Sequence, residues 1–384
     1  MHGGGRDDGD GPPTLDGVTT GIVDAHIHQW DPLHTPREVS RLARIYRFAP
    51  GQVRELMFRR LVAQSDRELV LTPQAVVQPY EPRDYLRDAA GVSTAAGVPV
   101  DTVVHVEAGW HGAGALAAAD ETRWVAGLPF GVGRGPRLGA IIGSADPRDP
   151  AFGTLLDAHA DASDLFRGIR FITARHPDPK VKDWCAEDGI LASPAFLTGF
   201  AQLAARNLTF DAWCYSHQLR DVLVLAREYP DTTIVLDHYA TPVGLFGPMG
   251  LRTGQTAAAR AELLRAWREN ITAIARCPNV VAKHSGLGFP PLGYGLQRSG
   301  NIGGREVLAD MMGPLVRYVT EQFGPDRLVY GSNFPMDRPN ASMPTIVGAL
   351  LDILAPRGPR LLRKVFRDNA LRVYRIDETD SDGG

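Results

Sequence analysis

The stretch that decides the fold runs from Leu208 to Pro242 and reads LTFDAWCYSHQLRDVLVLAREYPDTTIVLDHYATP. Two short apolar runs, Leu208–Trp213 and Thr233–Asp237, flank a segment, Ser216–Tyr229, whose apolar residues recur at helical spacing. Both runs end in polar or turn residues, which is typical of buried strands. This strand–helix–strand order predicts two parallel strands joined by a crossover helix.

The same pattern recurs along the whole chain and predicts a single-domain α/β protein. Further helices are predicted over Ala257–Ala275 and Leu361–Tyr374. Eight strands, each followed by a helix, predict a (β/α)8 TIM barrel over residues 18–376. We interpret residues 1–17, which are acidic and Gly-rich, and residues 377–384 as disordered tails. The eight predicted strands are Gly21–His26, Thr102–Glu107, Leu138–Gly143, Gly168–Ile172, Leu208–Trp213, Thr233–Asp237, Asn279–His284 and Arg327–Gly331.

Three segments are too long to be simple connections: Leu33–Tyr80, Tyr239–Gln255 and Ser285–Arg305. The last two follow the sixth and seventh strands, so we expect them over the C-terminal mouth, where barrels bind substrates. Their Gly, Pro and apolar residues fit lids or pocket walls, and variable surface loops are the alternative.

Composition excludes several kinds of partner. The 384 residues carry a net charge of −3 without a long basic run, which argues against binding to nucleic acid or an anionic membrane. No apolar run has the length of a membrane span, and the N-terminus lacks the apolar core of a signal peptide. The three cysteines form no disulfide framework. We expect a cytoplasmic enzyme with a small-molecule substrate. Whether it forms a homo-oligomer stays open.

The strongest local signal is the run Asp24-Ala25-His26-Ile27-His28 at the end of the first strand. Residues two apart in a strand share a face, so His26 and His28 are predicted to project together. Paired imidazoles suit a divalent metal, although this short motif also arises by chance. His238 and His217 follow the sixth and fifth strands, and each could instead be a structural histidine.

Charged residues lie inside other predicted strands. Arg170 must be paired because an unpaired buried charge is costly, and it is predicted either to form an ion pair or to anchor an oxyanion. In the second strand, Val104 and Val106 are predicted to face the helices, and His105 and Glu107 the barrel axis. Lys283 and His284 are adjacent, so only one of them can face the axis.

The last strand runs into the polar sequence VYGSNFPMDR, Val329 to Arg338. Asn333 stands where the strand ends, yet a carboxamide accepts no proton near neutral pH and is a poor metal ligand. Asp337 is four residues further on and could fold back over the mouth, or it could be a helix cap or a surface carboxylate.

These segments together resemble the amidohydrolase superfamily, and in particular its amidohydrolase-related branch with the sugar-lactone and pyrone-dicarboxylate lactonases. VDAHIHQWDP, TVVHVEAG, GIRF, the Leu208–Pro242 stretch, NVVAKHSGLG and RLVYGSNFP carry the resemblance from about Val18 to Ile376. It implies a barrel with a metal-activated water at the mouth. The superfamily's histidines and its final aspartate correspond here to His26, His28, His217, His238 and Asn333.

Two departures from the superfamily pattern matter. Arg170 stands where members with two metal ions carry a bridging lysine, and a guanidinium can neither be carboxylated nor bind a cation. Asn333 replaces the aspartate that takes a proton from water, so another residue must be the base or none is needed there. The candidate bases are Asp337, Glu107 and His28.

Three functions follow as hypotheses: a hydrolase of a lactone or related cyclic ester or amide, a metal-assisted decarboxylase, and a barrel without catalysis. The predicted catalytic residues are His26, His28, Arg170, His217, His238, Asn333 and Asp337. The predicted substrate contacts are Glu107, Lys283, Trp30, Phe289 and Tyr294. We expect no cofactor or one weakly held zinc or manganese ion, with His26, His28 and His238 as its ligands.

Overall fold

A ring of eight parallel strands forms the centre of the molecule. The computed structural model describes residues 11–72, 77–295 and 302–378. Within these ranges every strand pairs in parallel with the next one along the chain. The strands are β1 Ile22–Ile27, β2 Val100–Val106, β3 Arg137–Ser144, β4 Phe166–Ile172, β5 Thr209–Trp213, β6 Ile234–Leu236, β7 Val280–His284 and β8 Leu328–Tyr330.

The ring closes where the chain leaves β8 and meets the end of β1. The backbone N–H of Asn333 donates to the carbonyl of His26 at 2.8 Å, and His28 N–H donates to the carbonyl of Phe334 at 2.9 Å. Ile27 and Phe334 form a parallel bridge between them. The predicted (β/α)8 fold is therefore confirmed, and its closure places both histidines of the HxH motif beside Asn333.

Helices cover the outside of the ring. The crossover helix of the opening stretch begins with a 3-10 turn, Ser216–Gln218, before its α-helical part. The predicted closing helix contains a π-helical turn, Lys364–Asp368, between two short α-helices. The helices are α1 Ser40–Phe48, α2 Gly51–Leu61, α3 Gln64–Val70, α4 Pro82–Ala89, α5 Val92–Ala96, α6 Ala118–Ala126, α7 Phe152–Ala162, α8 Pro194–Ala205, α9 Leu219–Glu228, α10 Ala257–Ala275, α11 Arg305–Phe323, α12 Met343–Leu354, α13 Pro359–Arg363 and α14 Asn369–Val373.

A small apolar cluster fills the inside of the ring, separate from the larger core between strands and helices. Its strand residues alternate along the chain, as side chains on one face of a strand do. Tyr374 and Ile376, from the end of the chain, join this inner cluster. The strand residues of the inner cluster are Val23, Ala25, Val104, Val106, Ala140, Ile142, Val235, Val281 and Val329.

The inner cluster corrects the predicted direction of the β2 side chains. Val104 and Val106 belong to the inner cluster, so the prediction that they face the helices is wrong. His105 points the other way, and its Nε2 lies 3.9 Å from the carboxylate of Glu121 on α6. The sequence pattern alone could not show which β2 side chains point into the ring, because His105 would be buried on either face of the strand. Glu107 escapes the alternation because it lies just beyond the strand.

The three long segments assemble over the C-terminal mouth. The segment Leu33–Tyr80 carries α1, α2 and α3, and Tyr46, Phe58 and Leu69 of these helices pack in one apolar cluster with Trp213 and Phe289. The loops after β6 and β7 pair with each other, since the N–H groups of Gly244 and Phe246 donate to the carbonyls of Pro291 and Leu292. Residues 296–301 of the third segment lie outside the described residues.

The predicted domain boundaries, at residues 18 and 376, stay predictions. Residues 1–10 and 379–384 lie outside the described residues. Among the described residues, Leu15 is fully buried, and its N–H donates to the carbonyl of Ala96, so packing begins before residue 18. Among the described residues, no helix combines the length and the apolarity that crossing a membrane requires.

Substitutions at two adjacent residues of α9, within the Leu208–Pro242 stretch, test how this helix packs on the barrel. Leu225 is completely buried, whereas 44% of Val224 is exposed. We expect Leu225→Ala to lower the free energy of unfolding by about 2–5 kcal/mol and Val224→Ala by less than about 0.5 kcal/mol. Urea denaturation of both variants measures this, and equal losses would contradict the packing of α9 against the barrel.

Candidate active site

The ammonium group of Lys283 lies at the centre of the mouth, fully buried. Its three N–H groups reach Asp211 Oδ2 at 2.7 Å, Asp237 Oδ1 at 2.9 Å and His26 Nδ1 at 3.0 Å. Burial opposes the charged ammonium, but Asp211 and Asp237 outweigh it and raise the Lys283 pKa above its ordinary value. Lys283, rather than His284, therefore faces the barrel axis as a cation.

Three histidines surround this ammonium. The rings of His26 and His238 lie 4.6 Å apart between centroids, and the Nε2 atoms of His26 and His28 are 3.3 Å apart. Burial, followed by nearby cations such as Lys283 and Arg170, holds the pKa of His26 well below its usual range. Burial and Arg170 lower the pKa of His28 to about 4. Burial likewise lowers the pKa of His238 well below its ordinary value, so all three histidines are neutral at pH 7.

Arg170 and Glu107 form a buried pair beside the histidines. Arg170 Nε donates to Glu107 Oε1 at 2.8 Å, and Nη2 donates to the Glu107 carbonyl at 2.8 Å. Nη1 points instead towards His26 Nε2 at 3.5 Å and Asp237 Oδ2 at 3.9 Å. Although burial works against ionisation, Arg170 and the Gly109 N–H bring the pKa of Glu107 below its ordinary value. Glu107 thus fixes two edges of the guanidinium and leaves the third facing the site.

Asn333 connects the histidines to Asp337. The two ends of its carboxamide lie 3.3 Å from His28 Nε2 and 2.7 Å from Asp337 Oδ1. Gly288 N–H donates to Asp337 Oδ2 at 2.8 Å. Asp337 is completely buried, so it is neither a surface carboxylate nor an open base at the mouth. It lies behind Asn333 as seen from the histidines.

Aromatic side chains form the wall of the site. Phe289 lies 5.7 Å from both His238 and Trp213, measured between ring centroids. The Arg170 guanidinium lies over the Trp213 ring at 5.8 Å. Trp30 stacks beside His28 at 6.4 Å, and its indole N–H donates to the Gln78 carbonyl. The wall is therefore apolar, next to a strongly polar centre.

Two predicted site residues lie away from this cluster. His217 is exposed on the 3-10 turn Ser216–Gln218, where its ring contacts His176 at 5.5 Å, so its predicted place beside the other histidines is corrected. The early turn after β5 carries it outwards. Tyr294 stacks on Phe246, its hydroxyl lies 3.0 Å from Met312 Sδ and donates to the Leu287 carbonyl, and none of these contacts involves the histidines.

Sequence reasoning missed several residues that the fold brings into the site. Asp211 and Trp213 project from β5 with the two-residue spacing of one face, and Asp237 directly precedes His238. Ser285 Oγ lies 2.8 Å from His238 Nδ1. Asp211 inside an apolar strand was a usable signal, because a buried carboxylate needs a cation. Ser285 gave no such signal, since its partner depends on how two loops meet.

A divalent ion would find its donors in His26, Asp237 and His238, whose ligand atoms lie within 4.8 Å of one another. The Lys283 ammonium already contacts two of them, His26 Nδ1 and Asp237 Oδ1, and so competes with an ion for the same lone pairs. This donor set is consistent with no metal or with one divalent ion. This group contains Asp237, which was not among the predicted ligands, and does not contain His28, which was.

The barrel and its mouth define a class of protein: a parallel (β/α)8 enzyme with neutral histidines, carboxylates and two cations at the carboxyl ends of its strands. The family model described as Amidohydrolase matches residues 23–376. The chain belongs to this amidohydrolase family.

Similar proteins extend this assignment. L-fucono-1,5-lactonase of Burkholderia ambifaria is 29% identical over 272 residues, covering 70% of this chain and 80% of that protein. The uncharacterized protein y4mH of Sinorhizobium fredii is 29% identical over 357 residues, covering 92% of this chain and 98% of its own. A crystal structure of a Burkholderia multivorans amidohydrolase with bound zinc shares the fold, with a TM-score of 0.62 and 20% identity over 93% of this chain and all of that one.

Removal of Glu107 should reveal how much the buried pair depends on it. Glu107→Ala removes the carboxylate that holds Arg170 and leaves Asp237 Oδ2, 3.9 Å from Nη1, to compensate its charge, so we expect the free energy of unfolding to fall by about 3–5 kcal/mol. The exposed pair of Glu321 and Arg357, at 2.6 Å, is the control, and Glu321→Ala should cost about 1 kcal/mol or less. Chemical denaturation distinguishes the two, and similar small losses would contradict a buried clamp.

Metal content follows from the same geometry. Because Lys283 shares the donors, protein purified without chelators should hold at most one zinc or manganese ion per chain, and a brief treatment with a chelator should remove it. Elemental analysis of both samples measures the ratio. Two tightly held ions per chain would contradict this description of the donor set.

Proposed function

We propose that the protein hydrolyses a lactone or related cyclic ester of a small molecule, with water as the nucleophile. The observation that carries this proposal is the orientation of Arg170. Two edges of its guanidinium are fixed by Glu107, and Nη1 faces the neutral histidines in a buried site. A preorganised cationic donor of this kind stabilises the oxyanion that forms when water attacks an ester carbonyl.

His238 is the histidine best placed to take the proton of the attacking water. Its Nδ1 is engaged by Ser285, and its Nε2 has no hydrogen bond to any residue in the described ranges. Because its pKa is lowered by burial, it is neutral and able to accept a proton at pH 7. The rings of Trp213 and Phe289 both pack against the His238 ring, at 6.0 and 5.7 Å between centroids.

The proposed reaction balances without any other reactant. The water oxygen bonds to the carbonyl carbon while its proton moves to His238 Nε2, and the oxyanion accepts a hydrogen bond from Arg170 Nη1. The ring C–O bond then breaks, and the imidazolium returns the proton to the leaving oxygen. The product is an open-chain hydroxy acid, which releases one proton to solvent at neutral pH.

The two carboxylates that the sequence suggested as bases, Glu107 and Asp337, fit this step less well than His238. Glu107 is held by Arg170 and by the Gly109 N–H, which both favour its ionised form and occupy its lone pairs. Asp337 lies behind Asn333, away from the three histidines. If a divalent ion occupies the His26, Asp237 and His238 donors, it would supply Lewis-acid polarisation or a more acidic water.

The lactonase relatives support the substrate class. At 29% identity over 70% of this chain, L-fucono-1,5-lactonase of Burkholderia ambifaria supports a lactone rather than an amide as the target. The apolar wall of Trp30, Trp213 and Phe289 favours a substrate with an apolar face beside its ester. The histidines are buried, and α1–α3 pack on the wall residues Trp213 and Phe289, so we propose that these helices move when the substrate enters.

A panel of sugar and aromatic lactones, followed with a pH indicator, tests the proposal. Hydrolysis should release one proton per turnover and incorporate one oxygen atom from oxygen-18 water into the carboxylate. Release of carbon dioxide from a carboxylic acid, without such incorporation, would favour the decarboxylase hypothesis. Inactivity towards the whole panel together with turnover of another substrate class would overturn the proposal.

Two substitutions separate the proposed roles on any lactone that the wild type hydrolyses. Arg170→Lys keeps the charge but loses the fork that Glu107 holds, so kcat should fall about 10²–10³-fold. His238→Asn removes the proton acceptor, and kcat should fall about 10²–10⁴-fold. The surface variant Arg357→Lys is the control. If both site variants kept the kcat of the control, neither residue would act in the reaction.

A further inference from the structure

Asp337 is a buried carboxyl group without a cation beside it. Within the described residues it forms no ion pair, and its two oxygens contact only the Gly288 N–H and the Asn333 carboxamide. A lone buried carboxylate is costly, because neither water nor a counter-ion compensates its charge. The group must therefore receive strong hydrogen bonds as an anion or carry a proton.

The tautomer of His28 is fixed by the backbone. Its Nδ1 lies 2.9 Å from the carbonyl of Val106, which can only accept, so the proton of neutral His28 is on Nδ1. Its Nε2 then presents a lone pair towards His26 and Asn333.

The contacts of His26 do not set its tautomer, because cations face both of its nitrogens: Lys283 lies 3.0 Å from Nδ1, and Arg170 lies 3.5 Å from Nε2. The tautomer of His28 therefore rests on the Val106 carbonyl, and it requires His28 Nε2 to be an acceptor.

This requirement decides which end of the Asn333 carboxamide faces His28. If the Asn333 oxygen faced His28 Nε2, two acceptors would lie 3.3 Å apart. A carboxamide rotated by half a turn has nearly the same shape and presents an N–H donor there instead. The carboxamide oxygen then faces Asp337 Oδ1 at 2.7 Å. Two oxygens at this distance need a proton between them, and 2.7 Å is the usual separation in an O–H···O hydrogen bond.

We propose that Asp337 is a protonated carboxylic acid that donates to Asn333, and that Asn333 in turn donates to His28. Asp337 is thus a positioning residue, and Asn333 passes its orientation to the histidine cluster. The carboxamide holds His28 as a neutral acceptor. An aspartate at position 333 would instead favour the imidazolium form of His28.

The surroundings of Asp337 favour the protonated acid. Burial is the largest cause that raises its pKa, to about 8, and the buried carboxyl of Asp24 acts in the same direction against the Gly288 and Asn333 hydrogen bonds. The other titratable groups that face it are the hydroxyls of Tyr294 and Tyr330, which are neutral because their own pKa values are raised well above the ordinary range.

Asp337→Asn is the informative substitution, because a carboxamide matches a protonated acid in shape, donor and acceptor. Its N–H can donate to Asn333, and its oxygen can accept from Gly288. Because the pKa of Asp337 is raised from 3.8 to about 8, its stabilising contribution is complete below about pH 4 and is lost as pH rises towards 8. The variant has no such proton, so its melting temperature relative to wild type should rise across this range.

The control Asp157→Asn should change stability in the opposite direction with pH. Hydrogen bonds from Arg206 to the exposed Asp157 lower the pKa of that carboxyl, so its small contribution is present above its ordinary pKa and is lost on acidification. The melting temperature of Asp157→Asn relative to wild type should therefore fall, if it changes, as pH rises.

Infrared spectroscopy gives a readout that does not depend on stability or activity. Wild-type protein at pH 7 should show the carbonyl band of a protonated carboxylic acid, and Asp337→Asn should lose it.

Three results would each overturn the proposal. They are a variant that fails to fold, a variant whose relative stability falls as pH rises, and a wild-type infrared spectrum identical to that of the variant. Failure of the lactone panel would leave this test unaffected, because the proton on Asp337 is measured without a substrate.

Discussion

The hydrogen bonds of the Lys283 ammonium are the constraint on which the rest of the site depends. A cation buried at the top of the inner core exists only because Asp211 on β5 and Asp237 just after β6 face it. Its third N–H is directed at His26 Nδ1, 3.0 Å away. The Tyr374 hydroxyl also donates to Asp211, so the end of the chain helps to hold the same cluster.

His26 connects this ammonium to His28, whose Nε2 lies 3.3 Å from His26 Nε2. His28 donates from Nδ1 to the Val106 carbonyl, and its remaining acceptor nitrogen sets the orientation of Asn333. On the other side, Arg170 is fixed by Glu107 and offers one free edge. The site thus combines neutral histidines with two cations, which suits stabilisation of an oxyanion more than binding of several metal ions.

Much of the fold could be predicted from the sequence because parallel strands leave apolar runs that alternate with amphipathic helices. His26, His28, His238 and Asn333 could be placed at strand ends for the same reason. His217 could not, because a 3-10 turn just after β5 reverses its direction. Packing between distant segments decides which β2 side chains point into the ring and pairs Ser285 with His238. Periodicity within one strand does not contain this information.

The positions of the protons in this network are the most direct test of its central interaction. Neutron diffraction from crystals of the perdeuterated protein near pH 7 would show them. Deuterium is expected on Lys283 in three positions, on His28 Nδ1 and on the Asp337 carboxyl group. Deuterium on both nitrogens of His28, with a bare carboxylate at Asp337, would contradict the proposed network.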